Sequence, residues 1–187
     1  MKKILFIVFL FVVKNSFAQK EIATTMGLVY FEASVPLFEE VAATNKTVSC
    51  VLNLKTGEIT SVVKMNEFRF KLSLMEEHFN QKYLETNYFP NATLKGKIEG
   101  FNINIIDENS KEFKLNGVLK IHGKSKKISI LVKVKNLNKT IEISSNFNLS
   151  VKDFDIKIPE ILSMKVAEVA KIQTLFVFEK PILAHNP

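Results

Sequence analysis

Phe113-Lys-Leu-Asn-Gly-Val-Leu-Lys-Ile-His-Gly-Lys-Ser-Lys-Lys-Ile-Ser-Ile-Leu-Val-Lys-Val-Lys135 carries two faces of opposite chemistry. Phe113, Leu115, Gly117, Leu119 and Ile121 are apolar or small, while Lys114, Asn116, Lys120 and His122 are polar, with Val118 the exception. A period of two is that of a half-buried strand, because successive side chains leave a pleated backbone on opposite sides. After Gly123, Lys124, Ser125 and Lys126 the apolar series resumes at Ile128, Ile130, Val132 and Val134, alternating with Lys127, Ser129, Lys133 and Lys135. Two such runs across a short, glycine-containing turn predict a β-hairpin.

Outward from this hairpin the same period recurs. Strands are predicted at 24–33, 48–54, 59–65, 92–99, 101–106, 140–151 and 168–179, with Lys55-Thr56-Gly57-Glu58 as a second hairpin turn and 107–111 as a polar turn. Two stretches read as helical: 36–42, opened by Pro36, and 73–84, where Ser73 can cap and Met75, Phe79 and Tyr83 recur every four residues. Residues 159–165 form an irregular or helical crossover. Strands joined mainly by short turns indicate a sandwich or a closed barrel, and periodicity alone does not choose between them.

Residues 1–18 read as a secretory leader: Lys2 and Lys3, an apolar run over 4–13, then Ser16 and Ala18 before a cut that leaves Gln19 first. Ten helical residues reach only about 15 Å, half of a hydrocarbon core of about 30 Å, so cleavage is expected rather than anchoring. The formal charge of +7 includes the three leader lysines and falls to +4 without them. Arg69 is the only arginine among 26 basic residues. That scarcity argues against the bidentate phosphate forks of nucleic-acid sites. Cys50, the lone cysteine, rules out an internal disulfide and lies on the apolar Val48, Cys50, Leu52, Leu54 face.

The string Gly117-Val-Leu-Lys-Ile-His-Gly123 resembles the hairpin signature of the YceI-like family. Met75 to Phe79, followed by Tyr88-Phe-Pro-Asn-Ala-Thr93, is similar to that family's second segment. The resemblance spans nearly all of 19–187 as one domain. It implies an all-β fold, an antiparallel lipocalin-like barrel of about eight strands with one or two short helices. It further implies a periplasmic or secreted binding protein that sequesters or carries a polyisoprenoid, quinone precursor, fatty acid or amide in the barrel. One departure is visible: relatives are expected to carry histidines and a glycine near the first turn, where this chain has Glu32, Ser34 and Pro36-Leu-Phe-Glu-Glu40.

The expected tunnel lining is Ala92, Leu94, Gly96, Ile98, Phe113, Leu115, Gly117, Leu119, Ile121, Ile130, Phe147, Leu149, Phe176 and Phe178, with Ala92, Gly96, Gly117 and Ser145 leaving an unfilled lane between bulkier groups. A solid core is the rival reading, since glycine in a strand also marks a bend or close approach. Met75, Phe79 and Tyr83 are candidates for covering one end, and His122, Lys124 and Lys126 for the rim or a ligand head group. No histidine and carboxylate share a zinc-like spacing, and no nucleophile elbow, P-loop or dinucleotide fingerprint occurs. Neither catalysis, a metal nor a cofactor is expected. The expected partner is an apolar long-chain small molecule, with no nucleic acid, no stable membrane anchor after cleavage, and a homodimer left open. Two rivals stand beside this reading: a ligand-free structural or stress-response barrel, and an enzyme acting on lipids.

Overall fold

Alternating apolar residues give nine strands in the computed structural model, which describes residues 21–162 and 164–180. The predicted leader, its cleavage point and His185 lie outside the described residues. In chain order the elements are β1 (Glu21–Ser34), β2 (Ala42–Asn53), β3 (Glu58–Lys64), β4 (Arg69–Phe70), α1 (Ser73–His78), β5 (Asn91–Ile98), β6 (Lys111–Ile121), β7 (Lys124–Asn136), β8 (Thr140–Ser150) and β9 (Val166–Glu179). Hydrogen bonding runs β1-β9-β8-β7-β6-β5-β3-β2, and β1 pairs with β2 to complete the circle. Eight antiparallel strands therefore close a barrel, with β7 and β8 paired only from Val132 to Asn136 and from Ile141 to Ser145. The two-residue β4 adds to β2, with Ala43 opposite Phe70.

This connectivity gives the barrel two unlike ends. The β2–β3, β5–β6 and β7–β8 connections share one end, and the β1–β2, β3–β5, β6–β7 and β8–β9 connections share the other. At the first end Leu52, Ile98, Val134, Ile141 and Phe178 are fully buried. Ile106, Phe101 and Ile103 from the β5–β6 connection pack against them. Asn136 fastens that connection, its backbone N–H donating to Asp107 O at 2.8 Å and its Nδ2 to Ile106 O at 3.0 Å. This end is closed.

Several sequence expectations are corrected. The segment 36–42 is a turn, not a helix: Ala33 N donates to Val41 O at 2.8 Å and Val41 N to Ser34 Oγ at 3.0 Å, returning the chain directly into β2. The stretch 101–106 is not a strand but holds a 3₁₀ turn, Ile103–Ile105, where Asn102 Oδ1 accepts from Asn104 N at 3.0 Å. A local side-chain bond of this kind competes with ladder pairing. Leu72, not Ser73, occupies the N-cap of α1 and makes no side-chain cap. The Glu76 carboxylate instead accepts from Phe70 N at 3.1 Å. The helical run changes to a π turn over Phe79–Tyr83, with Leu84 N bonded to Phe79 O at 2.9 Å. Finally, the β6–β7 turn is only His122-Gly123, and Ile121 pairs with Lys124. Both residues are left-handed, at φ 49° and 74°, the type I′ geometry that matches strand twist.

Candidate functional site

The opposite end of the barrel is not filled. An apolar cavity of about 470 Å³ runs inward from it, within the range of small-molecule sites, about 300–1,000 Å³. Its wall is drawn from most strands of the barrel and from the connections at the open end. The charged or ionisable groups in that wall, Glu39, His78, Tyr83 and Lys165, all come from the open-end connections. Inside, the polar side chains are hydroxyls. Ser145 Oγ and Thr174 Oγ1 bond each other at 2.7 Å across β8 and β9, and Ser61 is buried on β3. Burial also pushes the Tyr83 phenol above its usual pKa.

One side of the opening is built from rings. Phe79 lies 5.6 Å from Phe31, 5.6 Å from Phe68 and 5.1 Å from Phe70, measured between centroids. The Phe31 pair is stacked and the other two are tilted or edge-on, arrangements that add to area burial. They hold the α1 and π turns against the barrel. Met75, Phe79 and Tyr83 all face the cavity from this cover.

His122 sits beside the opening but not in the cavity wall. Its side chain is 12% exposed, packed edge-on to Phe89 at 4.5 Å. Nε2 contacts Glu85 Oε2 at 2.9 Å and Nδ1 contacts Phe154 O at 3.2 Å. Both ring nitrogens therefore face oxygen acceptors on other connections. Lys124 pairs with Asp155 at 3.8 Å, and Lys126 pairs with Asp153. These bonds tie the β6–β7 turn to the β3–β5 and β8–β9 connections.

The family model of the YceI-like domain matches residues 18–178. This chain belongs to the YceI-like family. Solved structures share the fold of this YceI-like barrel. A polyisoprenoid binding domain from Saccharophagus degradans is 13% identical, with a TM-score of 0.75 over 87% of this chain and 99% of that one. Burkholderia cenocepacia BcnA is 16% identical, with a TM-score of 0.68 over 81% and 95%. A Campylobacter jejuni YceI protein is 17% identical, with a TM-score of 0.62 over 79% and 89%. No curated protein sequence matches the chain.

Within the YceI-like barrel, Ala92, Leu94, Leu115, Leu119, Ile121, Ile130, Phe147, Leu149 and Phe176 line the cavity, as does Ser145. Ile98, Phe113, Gly96, Gly117 and Phe178 do not. Ile98 and Phe178 belong to the solid closed end, and Phe113 packs against that core. Gly96 and Gly117 face each other across β5 and β6. A Cβ on Gly117 would lie 2.6 Å from Lys95 O and 2.9 Å from Gly96 Cα. A Cβ on Gly96 would meet Leu115 Cδ2 at 2.9 Å. The glycines therefore permit close approach of strands, and Leu115 already covers Gly96; they open no lane.

His122, Lys124 and Lys126 are likewise absent from the wall, being committed to partners on neighbouring connections. Sequence reading missed Val29, Phe31 and Ala33 of β1, whose inward alternation against Tyr30 and Glu32 was available. It also missed the mouth residues Glu39, His78 and Lys165, for which no periodic signal exists. Among the described residues no group of three or more potential metal ligands comes together. His78 contacts Lys82 at 3.2 Å.

Proposed function

We propose that this YceI-like barrel takes up one long-chain apolar molecule, chain first, and sequesters or carries it outside the cytoplasm. One observation carries the reading: an apolar cavity whose ionisable groups, Glu39, His78, Tyr83 and Lys165, all belong to the connections at the mouth. A hydrocarbon chain matches the interior, and a polar head matches the opening. Burying about a dozen methylenes at about 0.8 kcal/mol each gives on the order of 10 kcal/mol, comparable with an association cost of about 4–15 kcal/mol. The polyisoprenoid binding described for the Saccharophagus degradans neighbour supports a prenyl chain as ligand. The basic-then-apolar sequence of 1–18 supports export. The role is binding rather than catalysis: the Ser145 and Thr174 hydroxyls bond each other rather than a base.

Organic extraction of gently purified protein, followed by mass spectrometry, tests this directly. The expected result is one apolar molecule per chain. Ala92→Phe and Ala170→Phe place rings at two small positions of the wall and should keep the fold while emptying the extract. Wild-type extracts that are repeatedly empty, together with no uptake of an added prenyl alcohol or fatty acid, would refute the assignment and favour a ligand-free barrel.

A further inference from the structure

Large apolar side chains are exposed very unevenly over the two ends of the barrel. Among the described residues seven stand out on connections at the open end, Leu37, Phe38, Leu72, Leu74, Tyr88, Ile161 and Met164, and one, Ile105, on those of the closed end. Phe38, Leu72 and Leu74 also line the cavity, so the apolar wall continues over the lip and onto the outer surface. Ile161 is 83% and Met164 74% exposed on the β8–β9 connection. Leu37 is fully exposed and takes φ 71°, a conformation that glycine adopts at lower cost. Neither packing nor backbone geometry favours leucine at that tip.

We propose that the open end is a docking surface for a lipid bilayer, with the tips of the β1–β2, β3–β5 and β8–β9 connections entering the membrane so that the cavity opens directly onto the lipid. This rests on the cavity being the site of an apolar chain. Each methylene lowers the concentration of free chain in water about four-fold, so a ligand long enough to fill the barrel reaches it by contact with its reservoir far more often than through solution. The reservoir of such chains is a bilayer, and the rim has its chemistry. Charge indicates which bilayer: segments 35–41, 71–74 and 157–165 carry Glu39, Glu40 and Glu160 against Lys71, Lys157 and Lys165. Three acids and three bases leave no net attraction for anionic headgroups, so apolar insertion drives the contact and neutral lipid suffices. The contact is peripheral and reversible, in keeping with exposed side chains rather than a spanning segment.

The chain contains no tryptophan, so a single introduced indole reports alone. The chain from Gln19 onward, which contains every strand of the closed barrel, would carry Leu37→Trp, Ile161→Trp or, at the closed end, Ile105→Trp. Each is stripped of bound lipid and mixed with vesicles of phosphatidylcholine, or of phosphatidylcholine with a third phosphatidylglycerol, at low and high salt. Emission from both rim variants should move to shorter wavelength on phosphatidylcholine alone, Ile105→Trp should not respond, and salt should have little effect. In flotation, Leu37→Ser with Ile161→Ser should lower the vesicle-bound fraction at least about ten-fold through loss of inserted apolar area, with the far-UV spectrum and uptake of a dispersed fatty-acid probe unchanged. The proposal is overturned by silent rim tryptophans, by an equal response at Ile105, or by binding that needs phosphatidylglycerol and disappears in salt. It is also overturned if the rim emission is already blue in a dimeric, vesicle-free protein, which would mean that a second copy covers the rim. No ligand enters the fluorescence assay, so its failure is separable from an empty cavity, which the Ala92→Phe and Ala170→Phe extracts report.

Discussion

His122 illustrates how much one turn residue can organise. Its left-handed backbone closes the β6–β7 hairpin, and its ring joins the Glu85 carboxylate and the Phe154 carbonyl, which are 37 and 32 residues away in sequence. His122→Asn keeps a residue that tolerates positive φ but removes both bonds. We expect a loss of about 1.5–3 kcal/mol, in the range of hydrogen bonds to charged groups, read as a lower Tm in thermal unfolding. Cys50 gives a prediction of another kind. Burial pushes its thiol up to about 12 from an ordinary value of 9.0, so the folded state holds the proton more tightly than the unfolded chain. The stability this contributes is complete below pH 9 and fades as pH rises towards 12. Cys50→Ala should remove that alkaline component in urea titrations at a series of pH values. Native Cys50 should also resist alkylation until the chain unfolds.

At the scale of elements, β5 and β6 approach closely because Gly96 opposes Gly117. Gly117→Ala puts a methyl against backbone atoms of the facing strand β5, namely Lys95 O and Gly96 Cα, so the strands must separate. A cost of about 1–3 kcal/mol is expected, as for other overpacked sites, against less than about 0.5 kcal/mol for Ser129→Ala on the exposed face of β7. Equal denaturation midpoints for the two variants would contradict the close approach. The helical cover follows a different logic. With six α-helical residues and no side-chain cap, α1 is too short to be stable alone; the Phe31, Phe68, Phe70 and Phe79 rings supply what its hydrogen bonds do not.

Over the whole molecule the barrel is solid at one end and hollow at the other. The closed end concentrates fully buried aliphatic residues and Phe178, whereas the open end borders the cavity and carries the exposed apolar tips. A ligand that fills the hollow half binds only the folded state. A saturating prenyl or acyl ligand at about 100 times its Kd should therefore stabilise delipidated protein by about 2.7 kcal/mol, a Tm increase of roughly 5–11 °C for a domain of this size. Scanning calorimetry with and without ligand reads this, and an unchanged Tm under saturation would contradict binding to the native barrel.

The strand period, the central hairpin and the antiparallel all-β class were legible from Phe113 to Val134, because alternation reports directly which side of a strand is buried. The barrel was named through the resemblance of Gly117 to Gly123 and the Met75 to Thr93 segment to a family, since alternation is the same in a sandwich. Alternation also gave an inward face for Leu94, Leu119 and Ile98 alike, but not their depth along the barrel axis. Depth separates Leu94 and Leu119, which border empty space, from Ile98, which is packed into the closed end. Only the tertiary structure decided this, because whether an inward side chain meets a cavity depends on groups across the barrel and on loops such as that carrying Ile106, none of them sequence neighbours. The same holds for His122 and the two facing glycines: the chain fixes their conformational freedom, and strand register fixes what they touch.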